Sequence, residues 1–143
     1  MVRQQGFSII ELMITVVIVA IIMAIAVPAY TDSKRRTARV EAQAELIAIA
    51  QKLAAYKMSN GSYAGADIQK IYGQNQLLQS SEATYTLQLS ATTAIPTTTW
   101  TLNAIPIGKQ IKDGTLQIND RNQQCWFKGQ PTPSGTCLSW SEK

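Results

Sequence analysis

Three patterns of apolar and polar positions follow one another along the chain. Residues 12–31 carry no charge, and residues 12–27 are apolar except for Thr15. Such a run has no polar face, so it predicts a helix with apolar matter on every side. At about 1.5 Å per residue it reaches roughly 30 Å, the thickness of a bilayer core. From residue 31 to 58 the composition stays helical, with Ala at 38, 42, 44, 48, 50, 54 and 55 and no Gly or Pro. There the apolar positions become periodic: Leu46, Ile49, Ala50 and Leu53, joined by Ile47 and Ala54, share one face, opposite Glu41, Glu45, Gln51 and Lys52. Ser59, Asn60 and Gly61 supply a stop. A continuous helix over residues 7–58 would be about 78 Å long.

Residues 59–83 hold no sustained period and read as a connecting region with one helical turn over 67–72. Alternation of period two then appears in 85–89, 99–105 and 115–118, broken by Pro96 and near Gly108 and Gly114, with Trp126 and Phe127 ending a fourth run. A sheet of that kind has one apolar face, and the amphipathic half of the long helix is its cover. The expected fold class is α+β.

Composition sharpens this division. The 143 residues are one domain's worth, and their 45% apolar content averages over two unlike halves. There is no His and there are two Cys, which excludes a His-based triad, a His-containing or Cys-only zinc site and haem ligation by His. Cys125 and Cys137 enclose Pro131, Pro133 and Gly135, a loop that can bring the two sulfurs together. A disulfide outside the cytosol is the favoured reading, worth about 3 kcal/mol in the chain-entropy model. Free thiols in a reducing compartment are its alternative.

The formal charge of +4 is unevenly placed. Lys34, Arg35, Arg36 and Arg39 form a basic cluster, read as a solvated or headgroup-facing collar. Beyond Ala54, seven basic residues face five acidic ones, which is no electrostatic footprint of a dedicated nucleic-acid binder.

Glu11 stands at the head of the apolar run, and a carboxylate carried to the bilayer centre costs about 2.5–3.5 kcal/mol. Either it marks the water boundary or it has a partner. A cleaved secretory signal is the rival reading of this region, with Arg3 as its basic part and Ala24-Ile25-Ala26 as its cleavage site. Glu11 and the return to helix-forming residues after Pro28 speak against it. Counting flanking charges would put the C-terminal part in the cytoplasm, whereas the cysteine pair argues for the opposite side.

The run Gly6-Phe7-Ser8-Ile9-Ile10-Glu11-Leu12-Met13, after a short basic leader and before an uncharged helix, resembles the processing signal of type IV pilins. The resemblance implies that prepilin peptidase cuts between Gly6 and Phe7 and methylates the new amine of Phe7. It implies that Glu11 pairs with the N-terminal ammonium of a neighbouring subunit in a fibre, and that Pro28 marks a bend in the helix. The chain then divides into a cleaved leader (1–6), a transmembrane or fibre-core half-helix (7–31) and a periplasmic domain (32–143). Its fold would be the pilin-like roll, a long N-terminal helix packed on a small antiparallel sheet, with Cys125 and Cys137 closing the C-terminal disulfide region. Asp113 stands before Gly114 where many pilins have a cysteine, so the bridge encloses a later segment than in those relatives.

Arg39, Glu41, Leu46, Tyr56, Asn60 and Tyr63 are similar to the PilE-like minor pilins. The implied function is structural, with no catalytic residue, metal or cofactor: a minor subunit of a type IV pilus serving assembly and hence twitching motility, adhesion or DNA uptake. Its implied partners are other major and minor pilins, prepilin peptidase, the inner-membrane assembly platform and membrane lipid before assembly, with DNA as a further candidate. A DNA-binding uptake pilin, a major pilin and a type II secretion pseudopilin are the alternatives within the class, and a soluble periplasmic protein is the alternative outside it. Trp100 is expected in the core, and Trp126 and Trp140 are candidate contact residues. Asn119, Asp120 and Asn122 resemble pseudopilin calcium ligands, but offer too few charges and are expected in a turn between strands.

Overall fold

A computed structural model describes residues 6–79, 81–91 and 99–142. Helix α1 spans Ile9–Asn60, and a short helix α2 spans Ile68–Tyr72. Five strands follow: β1 (Gln76–Gln79), β2 (Glu82–Ala91), β3 (Trp100–Pro106), β4 (Gly114–Asn119) and β5 (Gln124–Lys128). The chain forms two compact units, one up to Lys34 and one from Arg35 onward.

The first unit is the uncharged part of α1 with its flanks, and every described side chain in it is exposed. By length and composition this stretch can cross a membrane. Its two threonine hydroxyls are satisfied locally: that of Thr15 donates to the Leu12 carbonyl at 2.8 Å, and that of Thr31 donates to the Pro28 carbonyl at 2.8 Å. Pro28 lies inside the helix, where it brings no backbone donor for the carbonyl four residues earlier.

In the second unit the strands run in sequence order as an antiparallel meander, β1-β2-β3-β4-β5. Alternation does what period two requires: Trp100, Leu102, Ala104 and Pro106 of β3 are buried while the residues between them are half-buried. The register places Leu87 opposite Ala104, Leu102 opposite Ile118 and Leu116 opposite Trp126, so one face is apolar throughout. On it lies the inner stripe of α1, formed by Ala42, Leu46, Ile49 and Leu53. Tyr63 and Ile68 close one side of this core.

α1 ends where expected, with the Gly61 N–H donating to the Lys57 carbonyl at 2.8 Å. α2 begins at Asp67, whose carboxylate accepts from the Gln69 N–H at 3.1 Å, and stops at Gly73 in the left-handed region (φ +91°). Gly114 is fixed by close approach as well as by its φ of +106°, since a Cβ there would collide with the Phe127 carbonyl and lie 2.6 Å from the Gly129 nitrogen.

Two sequence expectations need correction. The apolar face of α1 does not include Ile47 and Ala54, which are exposed; the buried stripe instead runs back through Ala42 and Arg39 to Ala38. Residues 59–83 contain β1 as well as a helical turn. The burial of β1 alternates as in any strand, but its sequence does not, because the outward-facing, exposed Leu78 is as apolar as the buried Leu77 beside it. The break assigned to Pro96 lies outside the described residues.

Candidate functional site

Gly6 and Phe7 lie exposed just before α1, and Glu11 sits exposed in its first turn, where a negative charge is favoured by the helix dipole. The Ser8 carbonyl accepts from the N–H groups of Glu11 (3.1 Å) and Leu12 (3.2 Å), which starts the helix two residues beyond Phe7. Phe7, Ile9, Ile10 and Leu12 thus form the beginning of a large-hydrophobic surface that continues to Tyr30. Monomeric soluble proteins seldom expose a patch of that extent.

In the second unit the chemistry gathers around Arg39. Its position on the inner stripe carries the guanidinium under the sheet, 3.8 Å from the centroid of the Trp126 ring. There Nη1 donates to Asp113 Oδ1 at 2.7 Å, with both side chains only 9% exposed. The other carboxylate oxygen of Asp113 accepts from the Tyr85 hydroxyl at 3.1 Å. Gln110 completes the chain, its Nε2 donating to the Tyr85 hydroxyl and to the Arg35 carbonyl, each at 2.9 Å. The Asp113 carbonyl accepts from Trp126 Nε1 at 2.9 Å and from the Gly129 N–H at 3.1 Å. One acidic residue therefore ties α1 to β2, β4 and β5.

Burial pushes the Asp113 carboxyl above its ordinary range, with Arg39 and the hydrogen bonds from its neighbours pulling the other way. Burial, with the adjacent Asp113 charge, pushes the Tyr85 phenol far upward. This is a structural network: the Arg–carboxylate pair is desolvated and spans two layers.

Arg39 is thus no part of an exposed collar, which corrects the sequence reading. Its burial was signalled by spacing, because steps of three and four back from Leu46 through Ala42 arrive at residue 39. Trp126 is 1% exposed and is core, not a contact residue. Trp140 is half-buried and donates its indole N–H to the Cys125 carbonyl at 2.9 Å. Asp113, Tyr85 and Gln110 come from separate segments, and no sequence pattern marks them as a group. Trp100 is core, and Asp120 to Asn122 form the turn between β4 and β5, both as expected.

Cys125 and Cys137 are joined by a disulfide. It holds the tail against β5, where Leu138 and Trp126 exchange backbone hydrogen bonds of 3.0 and 2.8 Å. The tail thereby covers the last edge of the sheet.

The remaining basic residues are less dispersed than the sequence suggested. Arg35 Nε donates to the Lys109 carbonyl at 3.1 Å, Lys112 lies in the turn leading to Gly114, and Gly114 pairs with Lys128. One end of the sheet therefore collects Arg35, Lys109, Lys112 and Lys128. Glu82, 3.2 Å from Lys109, offsets part of that charge.

The chain is similar to several known proteins. Residues 28–119 match the family described as type IV minor pilin ComP, DNA uptake sequence receptor, and residues 1–27 match the prokaryotic N-terminal methylation motif. The type IV major pilin protein PilE of Neisseria gonorrhoeae is 31% identical over 134 residues, covering 90% of this chain and 75% of that protein. Type II secretion system core protein G of Dickeya chrysanthemi is 30% identical over 61 residues, covering 43% of this chain and 40% of the relative. Among solved structures, the minor pilin PilV of Neisseria meningitidis is 16% identical with a TM-score of 0.49, covering 72% of this chain and 93% of that one.

Proposed function

Because the chain belongs to the ComP family of type IV minor pilins, we propose that it is a minor pilus subunit that contributes to DNA uptake. Prepilin peptidase cuts between Gly6 and Phe7 and methylates the Phe7 amine. The uncharged half of α1 then holds the subunit in the inner membrane with residues 32–143 in the periplasm, until the assembly platform moves it into a fibre among other pilins. The helix moves from one apolar surrounding to another. Each large aliphatic side chain so covered contributes about 1.5–3 kcal/mol relative to water. Glu11, carried into that apolar surrounding, is matched by the ammonium that cleavage creates on Phe7 of a neighbour, and Pro28 gives the helix a place to bend.

The observation that carries the DNA part is the gathering of Arg35, Lys109, Lys112 and Lys128 at one end of the sheet. Lys and Arg side chains so grouped neutralise phosphates and release counterions, which makes binding depend on salt. The test is a fluorescence-anisotropy titration of labelled duplex DNA with the full chain in detergent, over a series of salt concentrations. Binding should weaken linearly on a log–log plot, by about 0.9 per phosphate contacted. Combined replacement of Lys109, Lys112 and Lys128 by Ala should lower that slope by about 2 to 3. An absence of binding at low salt, or a slope unchanged in the triple variant, contradicts the proposal.

A further inference from the structure

We propose that a cavity between α1 and the turn joining β4 to β5 binds a single neutral sugar ring, a role separate from pilus entry and DNA uptake. The cavity measures about 290 Å³, at the small end of ligand sites, which run from about 300 to 1,000 Å³. It has room for one ring and not for a chain. Ile47 and Ala50 of α1 give it an apolar wall. Gln51, Asp120, Asn122 and Tyr63 bring one carboxylate, two carboxamides and a phenol to its lining, and none of those side-chain groups has a hydrogen-bond partner among the described residues. Trp100 also lines it, and its Nε1 is the one buried side-chain polar atom without a partner among the described residues.

This mixture suits a pyranose. Each ring hydroxyl both donates and accepts, so a carboxylate and amides can bind neighbouring hydroxyls in pairs, while the C–H face of the ring packs on aliphatic carbon. Other ligands fit less well. A metal ion would find one carboxylate and no ligand cluster among the described residues. A nucleobase would need an open aromatic face, but Tyr63 and Trp100 are 6% and 4% exposed and meet edge to face. A cationic side chain would meet Arg121 next to Asp120, and Lys57, whose ammonium lies 5.2 Å from the centroid of the Tyr63 ring.

The test uses the 15N-labelled full chain in micelles of a sugar-free detergent, titrated with the methyl glycosides of glucose, galactose, mannose and N-acetylglucosamine. Three indole N–H signals report. Those of Trp126 and Trp140 already donate to the Asp113 and Cys125 carbonyls and should stay still. The Trp100 signal should move saturably with at least one glycoside, at a dissociation constant on the order of 1 mM. Asp120→Asn should weaken that binding about tenfold, with the unmoved Trp126 signal showing that the fold is intact. The proposal is overturned if no glycoside shifts Trp100 saturably or if Asp120→Asn binds as the parent does. It is equally overturned if methylguanidinium moves the signal and the sugars do not, which would reassign the cavity to an arginine of a partner protein.

Discussion

Tyr85 and Asp113 titrate in ways that a surface reading would get wrong. Tyr85 is fully buried and its phenol is held far above the ordinary value of 10.0. Its contribution to stability is therefore complete below pH 10.0 and is lost as the pH rises above that value, at about 1.4 kcal/mol per pH unit. Tyr85→Phe should cost about 1–2 kcal/mol at neutral pH, by removing the donor to Asp113 and the acceptor of Gln110. It should also flatten the alkaline loss, so that parent and variant converge in urea midpoint between about pH 9 and pH 11. Parallel decline of the two would show that another group carries the effect. Asp113 works in the opposite range. Its folded value is raised above 3.8, so its contribution is greatest below 3.8 and shrinks as the pH rises through the folded value.

Periodicity made the elements legible to different degrees. The apolar run, the stop at Asn60 and the strands β2, β3 and β4 follow directly from spacing, because each has one environment along its whole face. β1 leaves no period-two signal because Leu77 and Leu78 are adjacent and equally apolar, although one faces the core and the other faces out. The charge of Arg39 points to the collar whereas its spacing points inside, and no sequence pattern brings Asp113 to it across 74 positions. The disulfide acts on a whole element, since it pins the tail over the β5 edge. Replacing Cys125 and Cys137 together by Ser should lower unfolding free energy by about 3 kcal/mol and raise the accessibility of Trp126 to acrylamide quenching. A variant with unchanged stability and quenching would mean that backbone pairing alone holds the tail.

For the molecule as a whole, the two units answer to different solvents. The unit from Arg35 onward buries its own core, whereas the unit up to Lys34 exposes every described side chain and so depends on what surrounds it. Glu11→Ala should accordingly leave the core of the second unit folded, with the parent's near-ultraviolet circular dichroism, and yet reduce the subunit recovered in sheared pili. Normal recovery would remove the proposed pairing of Glu11 with the amine of Phe7. That pairing presupposes cleavage, and cleavage after Gly6 is the step that separates a pilin from a secreted protein bearing an ordinary signal. The intact mass and N-terminal sequence of the mature protein read it directly. The chain should begin at Phe7 with a methylated amine and keep the whole apolar helix. An N-terminus near Val27, or a chain that retains residues 1–6, would contradict the account.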